Sequence, residues 1–464
     1  MRAMSCPSRG ETPEECARRE LFEEAGVVID DVRYQFSQPW PFTCSLMMGF
    51  LAEAEGRDLT VDTEELAEAR WFDKTDVQAV LNGETRDFNV PPKFTIAQKL
   101  LNIHWFFVFL ICLTVAIGIA MLYSAANGSF QPWASRQLVR FGVGFLAMIA
   151  VALIDIRIWL RFAYVLYGLS LVLLVLVEFM GFVGMGAQRW LDLGYFNLQP
   201  SELMKITLVL ALARYFHGLT MEGVAQTTRM ILPLIMVFVP TGLVLRQPDL
   251  GTALMLIMAS GALFFVAGVR LWKFALVIVL SLIATPVGWQ FLHDYQKRRI
   301  LTFLNPETDP LGAGYHIIQS KIALGSGGLL GKGFMQGTQG HLNFLPEMQT
   351  DFIFTMLAEE FGLVGGLGLL ALYALLLLFG AIIAMRANNQ FGRLVAFGVT
   401  VTFFLYVFIN IAMVMGLIPV VGVPLPLISY GGTAMMTLLI GFGLLIGIWV
   451  HRDVTIGRRG GDEI

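Results

Sequence analysis

Acidic side chains stand out in this chain because so few charges accompany them. Glu20, Glu23 and Glu24 fall at i, i+3 and i+4 of ARRELFEEAGV, so on a helix their carboxylates share one face. Three oxygen donors placed that way suit Mg²⁺ or Mn²⁺ holding a diphosphate, although a solvated acidic helix face has the same spacing. In Gln199-Pro200-Ser201-Glu202-Leu203-Met204-Lys205, Glu202 and Lys205 lie one turn apart at the opening of an apolar run. Charges inside a membrane more often line a cavity than face lipid, so this pair reads as functional or site-supporting rather than snorkelling. Ser201 is placed to cap that helix, and Asp249 after Pro248 either caps the next one or joins a site. The densest group lies in residues 303–360, FLNPETDPLGAGYHIIQSKIALGSGGLLGKGFMQGTQGHLNFLPEMQTDFIFTMLAEE. Asp309 precedes Pro310 and the flexible Leu311-Gly312-Ala313-Gly314; His316 and Gln319 follow a helical turn apart, then Ser320 and Lys321. From spacing alone, a turn residue is the leading reading of Asp309. Capping or membrane-surface charge accounts for Glu347, Asp351, Glu359 and Glu360.

Composition says what kind of scaffold positions these groups. Of 464 residues, 56% are hydrophobic and 14% charged, with mean hydropathy +0.68. Soluble domains carry roughly 25% charged residues, so most of this chain belongs in a bilayer. A net charge of −3 with no basic domain argues against a nucleic-acid partner. Cys6, Cys16, Cys44 and Cys112 lack CxxC spacing, which indicates neither a zinc ribbon nor a disulfide framework. There is no P-loop, haem-ligand pair or inverted repeat of broken helices, which leaves an enzyme or a lipid-handling protein.

Apolar runs of about 20 residues predict transmembrane helices. They fall near 103–125, 138–155, 159–178, 202–216, 230–246, 250–268, 272–292, 357–385, 393–416 and 427–450. The expected fold is therefore an all-α polytopic membrane protein of about ten transmembrane helices over 101–464, preceded by a small α/β segment at 1–100. A large loop at about 293–356 interrupts the spans. It is too rich in charges and glycines to face lipid, yet Tyr315, Ile317, Ile318, Ile322, Leu324, Phe334, Phe344 and Leu345 predict that it folds back and covers the active site. No cleavable signal precedes the first span, which must itself act as the membrane signal. An even number of spans puts both termini on one side. The short loops of that side carry Arg157, Arg161, Arg214, Arg229, Arg270, Lys273, Arg386 and Arg393, which makes it cytoplasmic and the long loop extracytoplasmic. In the first hundred residues Thr12 is placed as an N-cap with Glu15 closing a capping box, Pro13 fits the first turn, and Gly26 fits the stop.

Motif order adds two resemblances. Gly186-Ala187-Gln188-Arg189-Trp190-Leu191, Leu198-Gln199-Pro200-Ser201-Glu202, Gln247-Pro248-Asp249-Leu250-Gly251-Thr252, Asp309-Pro310-Leu311-Gly312-Ala313-Gly314-Tyr315, Gln319-Ser320 and Gly416-Leu417-Ile418-Pro419 through Ser429-Tyr430-Gly431-Gly432 resemble the SEDS family over roughly residues 100–455. Gly331-Lys332-Gly333-Phe334 and Phe344-Leu345-Pro346-Glu347 resemble its rod-shape branch more than its division branch. The resemblance implies a peptidoglycan glycosyltransferase that polymerises lipid II outside the membrane. A class B penicillin-binding protein would be its transpeptidase partner within the elongation machinery. It makes Asp309 the general base on the attacking sugar hydroxyl, a role typically contributing ~10²–10⁴-fold. The departing diphosphate needs positive charge or a divalent cation, Mg²⁺ or Mn²⁺. Lys205, oriented by Glu202, leads the candidates, followed by Arg189, Arg246 and Lys321, with Gln319 and Ser320 beside them. A lipid II flippase is the alternative reading of the same cavity. Separately, Arg19-Glu20-Leu21-Phe22-Glu23-Glu24-Ala25-Gly26-Val27 with Glu11, Ser37-Gln38-Pro39-Trp40-Pro41-Phe42 and Glu68-Ala69-Arg70-Trp71-Phe72 resemble a Nudix NADH pyrophosphatase. Ser5 stands where that box opens with glycine, and strands expected before the box are lacking, so this segment reads as truncated. A membrane-tethered Nudix hydrolase is the third reading.

Overall fold

The computed structural model describes residues 11–40, 45–61, 69–76, 99–100, 102–184, 187–192, 194, 197–291, 297, 301–303, 313–342, 347–452, 454 and 456–457. The chain divides into two compact units, Met1–Lys93 and Phe94–Ile464.

In the first unit, helix α1 (Pro13–Ala25) begins with the expected capping box. Thr12 Oγ1 accepts from the Glu15 amide at 3.2 Å, and Glu15 Oε2 accepts from the Thr12 amide at 2.9 Å. The Thr12 backbone N–H holds the Glu15 carboxyl below its ordinary value. Gly26 takes φ 69°, the left-handed turn that ends the helix without a Cβ penalty. Strands β1 (Ile29–Trp40) and β2 (Ser45–Ala54) pair antiparallel with two register shifts. The helix and ribbon close on a small core of Ala25, Val27 and Ile29, with Val32, Ala52, Leu59 and Ala69 packed against it.

The second unit is a bundle of apolar helices: α2 (Trp105–Ala125), α3 (Trp133–Leu153), α4 (Ile156–Met180), α5 (Pro200–His217), α6 (Ile231–Arg246), α7 (Leu250–Val266), α8 (Leu271–Phe291), α10 (Ile353–Arg386), α11 (Gln390–Val414) and α12 (Gly432–Val450). Each overlaps one predicted span. Among the described residues, seven helices meet the length and apolarity of a full crossing, with Leu250–Val266 and Leu271–Ala284 as shorter apolar helices. Helix α5 breaks the pattern because Glu202, Lys205 and Arg214 interrupt it. A small antiparallel sheet, β3 (Phe182–Gly184), β4 (Ala187–Asp192) and β5 (Asn197–Leu198), connects α4 to α5. Helix α9 (Ala313–Ser326) belongs to the predicted loop, and its described part does return to the bundle: Ser320 Oγ donates to the Val414 carbonyl at 2.8 Å.

Hydrogen bonds sort the bundle into two ends. At one end Ser124 of α2 reaches Glu360 of α10, Gln137 of α3 reaches the Ser429 carbonyl, and Gln247 after α6 reaches the Leu174 carbonyl of α4. At the other, Lys99 donates to the Leu153 carbonyl, His217 meets the Gly457 carbonyl, and Asn388 pairs with Arg452. The described ends of this unit thus lie opposite the long loop.

Helix α10 is broken at Gly362, φ 67° and ψ −163°. A break in a bilayer strands amides and carbonyls that water cannot serve. The loop repairs it: Lys332 and Gly333 amides donate to the Glu359 and Glu360 carbonyls, each at 3.0 Å. In return the Leu363 and Val364 amides donate to the Gly328 and Leu329 carbonyls at 3.0 and 3.1 Å. A Cβ on Gly331 would sit 2.1 Å from the Glu360 carbonyl oxygen, so only glycine lets the two backbones meet this closely.

Candidate active site

Helix α5 starts at Pro200, whose missing N–H suits the first helical position, and this puts Glu202 and Lys205 in its opening turns. Ser201 does not cap it; the N-cap is Gln199, which leaves Ser201 buried in the first turn. Both charges are buried at 4% exposure, and Lys205 Nζ lies 2.7 Å from Glu202 Oε1. Taking two ions out of water costs several kcal/mol per ion unless further hydrogen bonds satisfy them. Tyr406 of α11 supplies those bonds. Its hydroxyl accepts from Lys205 Nζ and donates to Glu202 Oε2, while its ring centroid lies 4.3 Å from the ammonium. No spacing rule links Tyr406 to residues two hundred positions away, so the sequence offered no signal for it.

Of the two roles left open for Asp249, the cap is the one observed. It caps α7, accepting from the Thr252 amide at 3.2 Å and hydroxyl at 3.0 Å, and it also accepts from Gln199 Nε2 at 3.4 Å. Gln199 immediately precedes α5, so the starts of α5 and α7 are tied beside the ion pair. Arg189 of β4 donates to the Gln247 carbonyl at 3.2 Å and to the Pro248 carbonyl, which fixes the turn that presents Asp249. Its guanidinium is thereby a brace for this turn.

The other predicted residues separate. Ser320 is fully buried and shares its hydroxyl with Thr355 at 3.0 Å as well as the Val414 carbonyl, which makes it a packing contact. Gln319 lies next to it with Oε1 buried and without a hydrogen-bond partner. Lys321 is exposed on α9. Arg246 is 72% exposed and pairs outward with Glu178 at 3.2 Å. The expectation that Asp309 is the base falls outside the described residues.

The reading of Glu359 and Glu360 as capping or surface charge is corrected: both are wholly buried. Glu359 Oε1 accepts from Lys332 Nζ at 2.7 Å, the Thr338 amide at 2.9 Å and the Gln339 amide at 3.1 Å. Glu360 Oε1 accepts from Ser124 Oγ at 2.5 Å and lies 3.4 Å from His341 Nε2, whose Nδ1 meets Asn127 Oδ1. Adjacent carboxylates thus bind the loop on one side and α2 on the other.

A sequence profile of the cell cycle protein family, which groups FtsW, RodA and SpoVE, matches residues 100–454. The chain belongs to this family. Peptidoglycan glycosyltransferase MrdB of Escherichia coli (strain K12) is 46% identical over 346 residues, covering 74% of this chain and 93% of that protein. Stage V sporulation protein E of Bacillus subtilis (strain 168) is 37% identical over 74% of this chain and 95% of its own length. A solved structure described as showing structural coordination of polymerization and crosslinking by a peptidoglycan synthase complex matches with TM-score 0.66 at 36% identity, covering 75% of this chain and 98% of that one. Thermus thermophilus rod shape determining protein RodA matches with TM-score 0.58 at 32% identity, covering 75% and 97%. This family member is a multi-pass membrane protein. A NUDIX domain profile matches residues 7–94, in agreement with the motif reading of the first unit.

The FtsW/RodA/SpoVE portion accounts for the buried ion pair; the Nudix-like unit carries the acidic face. There Arg19 intervenes. It pairs with Glu11 at 3.0 Å, Glu20 at 3.1 Å and Glu23 at 2.8 Å. Among the described residues no group of three or more His, Cys, Asp or Glu side chains, Glu20, Glu23 and Glu24 included, is arranged to hold a metal ion. With Glu20 and Glu23 turned to the Arg19 guanidinium, this acidic face does not fit Mg²⁺ or Mn²⁺ as placed.

Proposed function

We infer that this chain is a peptidoglycan glycosyltransferase of the cell-elongation machinery that polymerises lipid II. The observation that carries the reading is the buried Glu202–Lys205 pair at the loop end of a bundle whose relatives are named peptidoglycan glycosyltransferases. A cation held inside an apolar body attracts an anionic headgroup while the prenyl tails stay in lipid between the helices.

In the proposed reaction a sugar 4-hydroxyl attacks the anomeric carbon of a second lipid II. The new C–O bond forms as the bond to the lipid diphosphate breaks. The hydroxyl proton passes to the Asp309 carboxylate, and the diphosphate leaves toward Lys205. One base and no carboxylate nucleophile gives inversion at the anomeric carbon, by the logic of glycosidases. Arg189 contributes by bracing the 247–249 turn, while Gln319 and Lys321 lie on the loop that brings Asp309. Mg²⁺ or Mn²⁺ would add positive charge at the diphosphate; no protein ligand is assigned to it. The long loop faces the extracytoplasmic side, where lipid II sugars are polymerised, and the termini are cytoplasmic. A class B penicillin-binding protein is the partner this reading calls for, consistent with a solved relative that comes from a peptidoglycan synthase complex.

The test is purified Asp309→Ala with labelled lipid II: it should bind substrate and make no glycan strands. Wild-type polymerisation by this variant sinks the base assignment, and lipid II transbilayer movement without polymerisation would favour the flippase.

A further inference from the structure

The Glu202–Lys205 pair has a third member that the sequence motifs do not contain. Tyr406 lies near the end of α11, wholly buried, with its hydroxyl bonded to both charges. One turn further on the same face, Asn410 donates to the Asp351 carbonyl at 3.0 Å and the Val423 carbonyl at 2.7 Å. This stretch of α11 therefore touches the ion pair, the start of α10 and the segment before α12. A small cleft lies on Tyr406, lined also by Pro424, Leu427, Ser429 and Ala434.

Lysine is a point charge on a flexible stem, so a carboxylate partner alone leaves its direction loosely set. A buried ion pair is also weak evidence for stability, since apolar residues of similar volume often serve a fold as well. A hydroxyl that donates to one member and accepts from the other closes a triangle and holds both heads in one geometry. We propose that Tyr406 is a positioning residue: its hydroxyl fixes the Lys205 ammonium in the direction from which it meets the departing diphosphate. This rests on the role given above to Lys205.

The test uses the full chain in lipid nanodiscs with labelled lipid II, comparing wild type, Tyr406→Phe, Lys205→Gln and the double variant. Tyr406→Phe keeps the ring and the volume and removes only the hydroxyl. Its kcat should fall about 10- to 100-fold, the range for loss of a hydrogen bond to a charged group, with KM within about twofold. The double variant should be no slower than Lys205→Gln, because the hydroxyl acts only through the ammonium. Wild-type kcat in Tyr406→Phe with an impaired Lys205→Gln overturns the proposal and leaves the Lys205 role standing. Full activity in Lys205→Gln overturns both. A double variant slower by the product of the single effects also overturns it. If Tyr406→Phe melts early, Tyr406→Gln against Tyr406→Leu decides: a faster Gln variant supports positioning, and equal rates overturn it.

Discussion

At the scale of residues, burial decides which cation matters. Lys205 and Arg246 were both candidates for the diphosphate, but Lys205 is held at 4% exposure while Arg246 points outward at 72%. Exposed ion pairs contribute about 0–1 kcal/mol and are screened by salt, so Arg246→Ala should leave lipid II polymerisation within about twofold of wild type. Lys205→Gln removes a charge from a water-poor site and should lower kcat by about 10²-fold or more, the scale of losing one oxyanion-stabilising donor. Turnover by the two purified variants settles the ranking; equal losses would show that burial is the wrong criterion. Glu202 and Lys205 were legible because i and i+3 share a helix face whatever the fold. Glu359 and Glu360 were not, since nothing local distinguishes a buried carboxylate from a surface one.

At the scale of elements, the broken α10 and the loop that repairs it form one unit. Gly331→Ala would bring a Cβ to 2.1 Å from the Glu360 carbonyl at a position with φ 80°. Backbone strain of this kind costs on the order of 1–3 kcal/mol, and the clash adds to it. The variant should melt several degrees lower by scanning fluorimetry and lose activity with it; an unchanged melting temperature would mean the loop is not needed to satisfy the break. The far end of α12 behaves differently. Burial lowers the pKa of His451, which sits just past Val450 with Nδ1 on the Gly447 carbonyl. As pH falls below the ordinary histidine value, the unfolded chain takes a proton that the folded one resists, so stability drops until the folded pKa is reached. Between pH 7.5 and 5.5 the wild type should lose more melting temperature than His451→Phe. Parallel pH profiles would sink this account.

At the scale of the whole molecule, two compact units carry two unrelated sets of charges. The groups proposed to carry polymerisation all lie beyond residue 99, so a chain lacking residues 1–93 should polymerise lipid II at the full-length rate. Arg19 engages Glu20 and Glu23 on the acidic face of α1, and NADH hydrolysis by the full chain is expected to be absent and unchanged by Glu23→Gln. Turnover of NADH that disappears in that variant would favour the Nudix hydrolase reading over this expectation. The candidate site is built where α5 and α7 begin and α11 nears its end, a meeting point that exists only once the bundle is assembled.

What the linear chain determined by itself was everything that obeys a local period. Apolar runs of bilayer length placed the helices, a capping box and a left-handed glycine bounded α1, and one helical turn paired Glu202 with Lys205. The tertiary structure alone decided which polar groups became buried partners. Tyr406 reaches Lys205 across two hundred residues, Ser124 reaches Glu360, and Lys332 reaches Glu359. Those contacts follow from how helices pack when lipid leaves no water to satisfy a stray charge or a broken backbone, and no window of sequence contains that information.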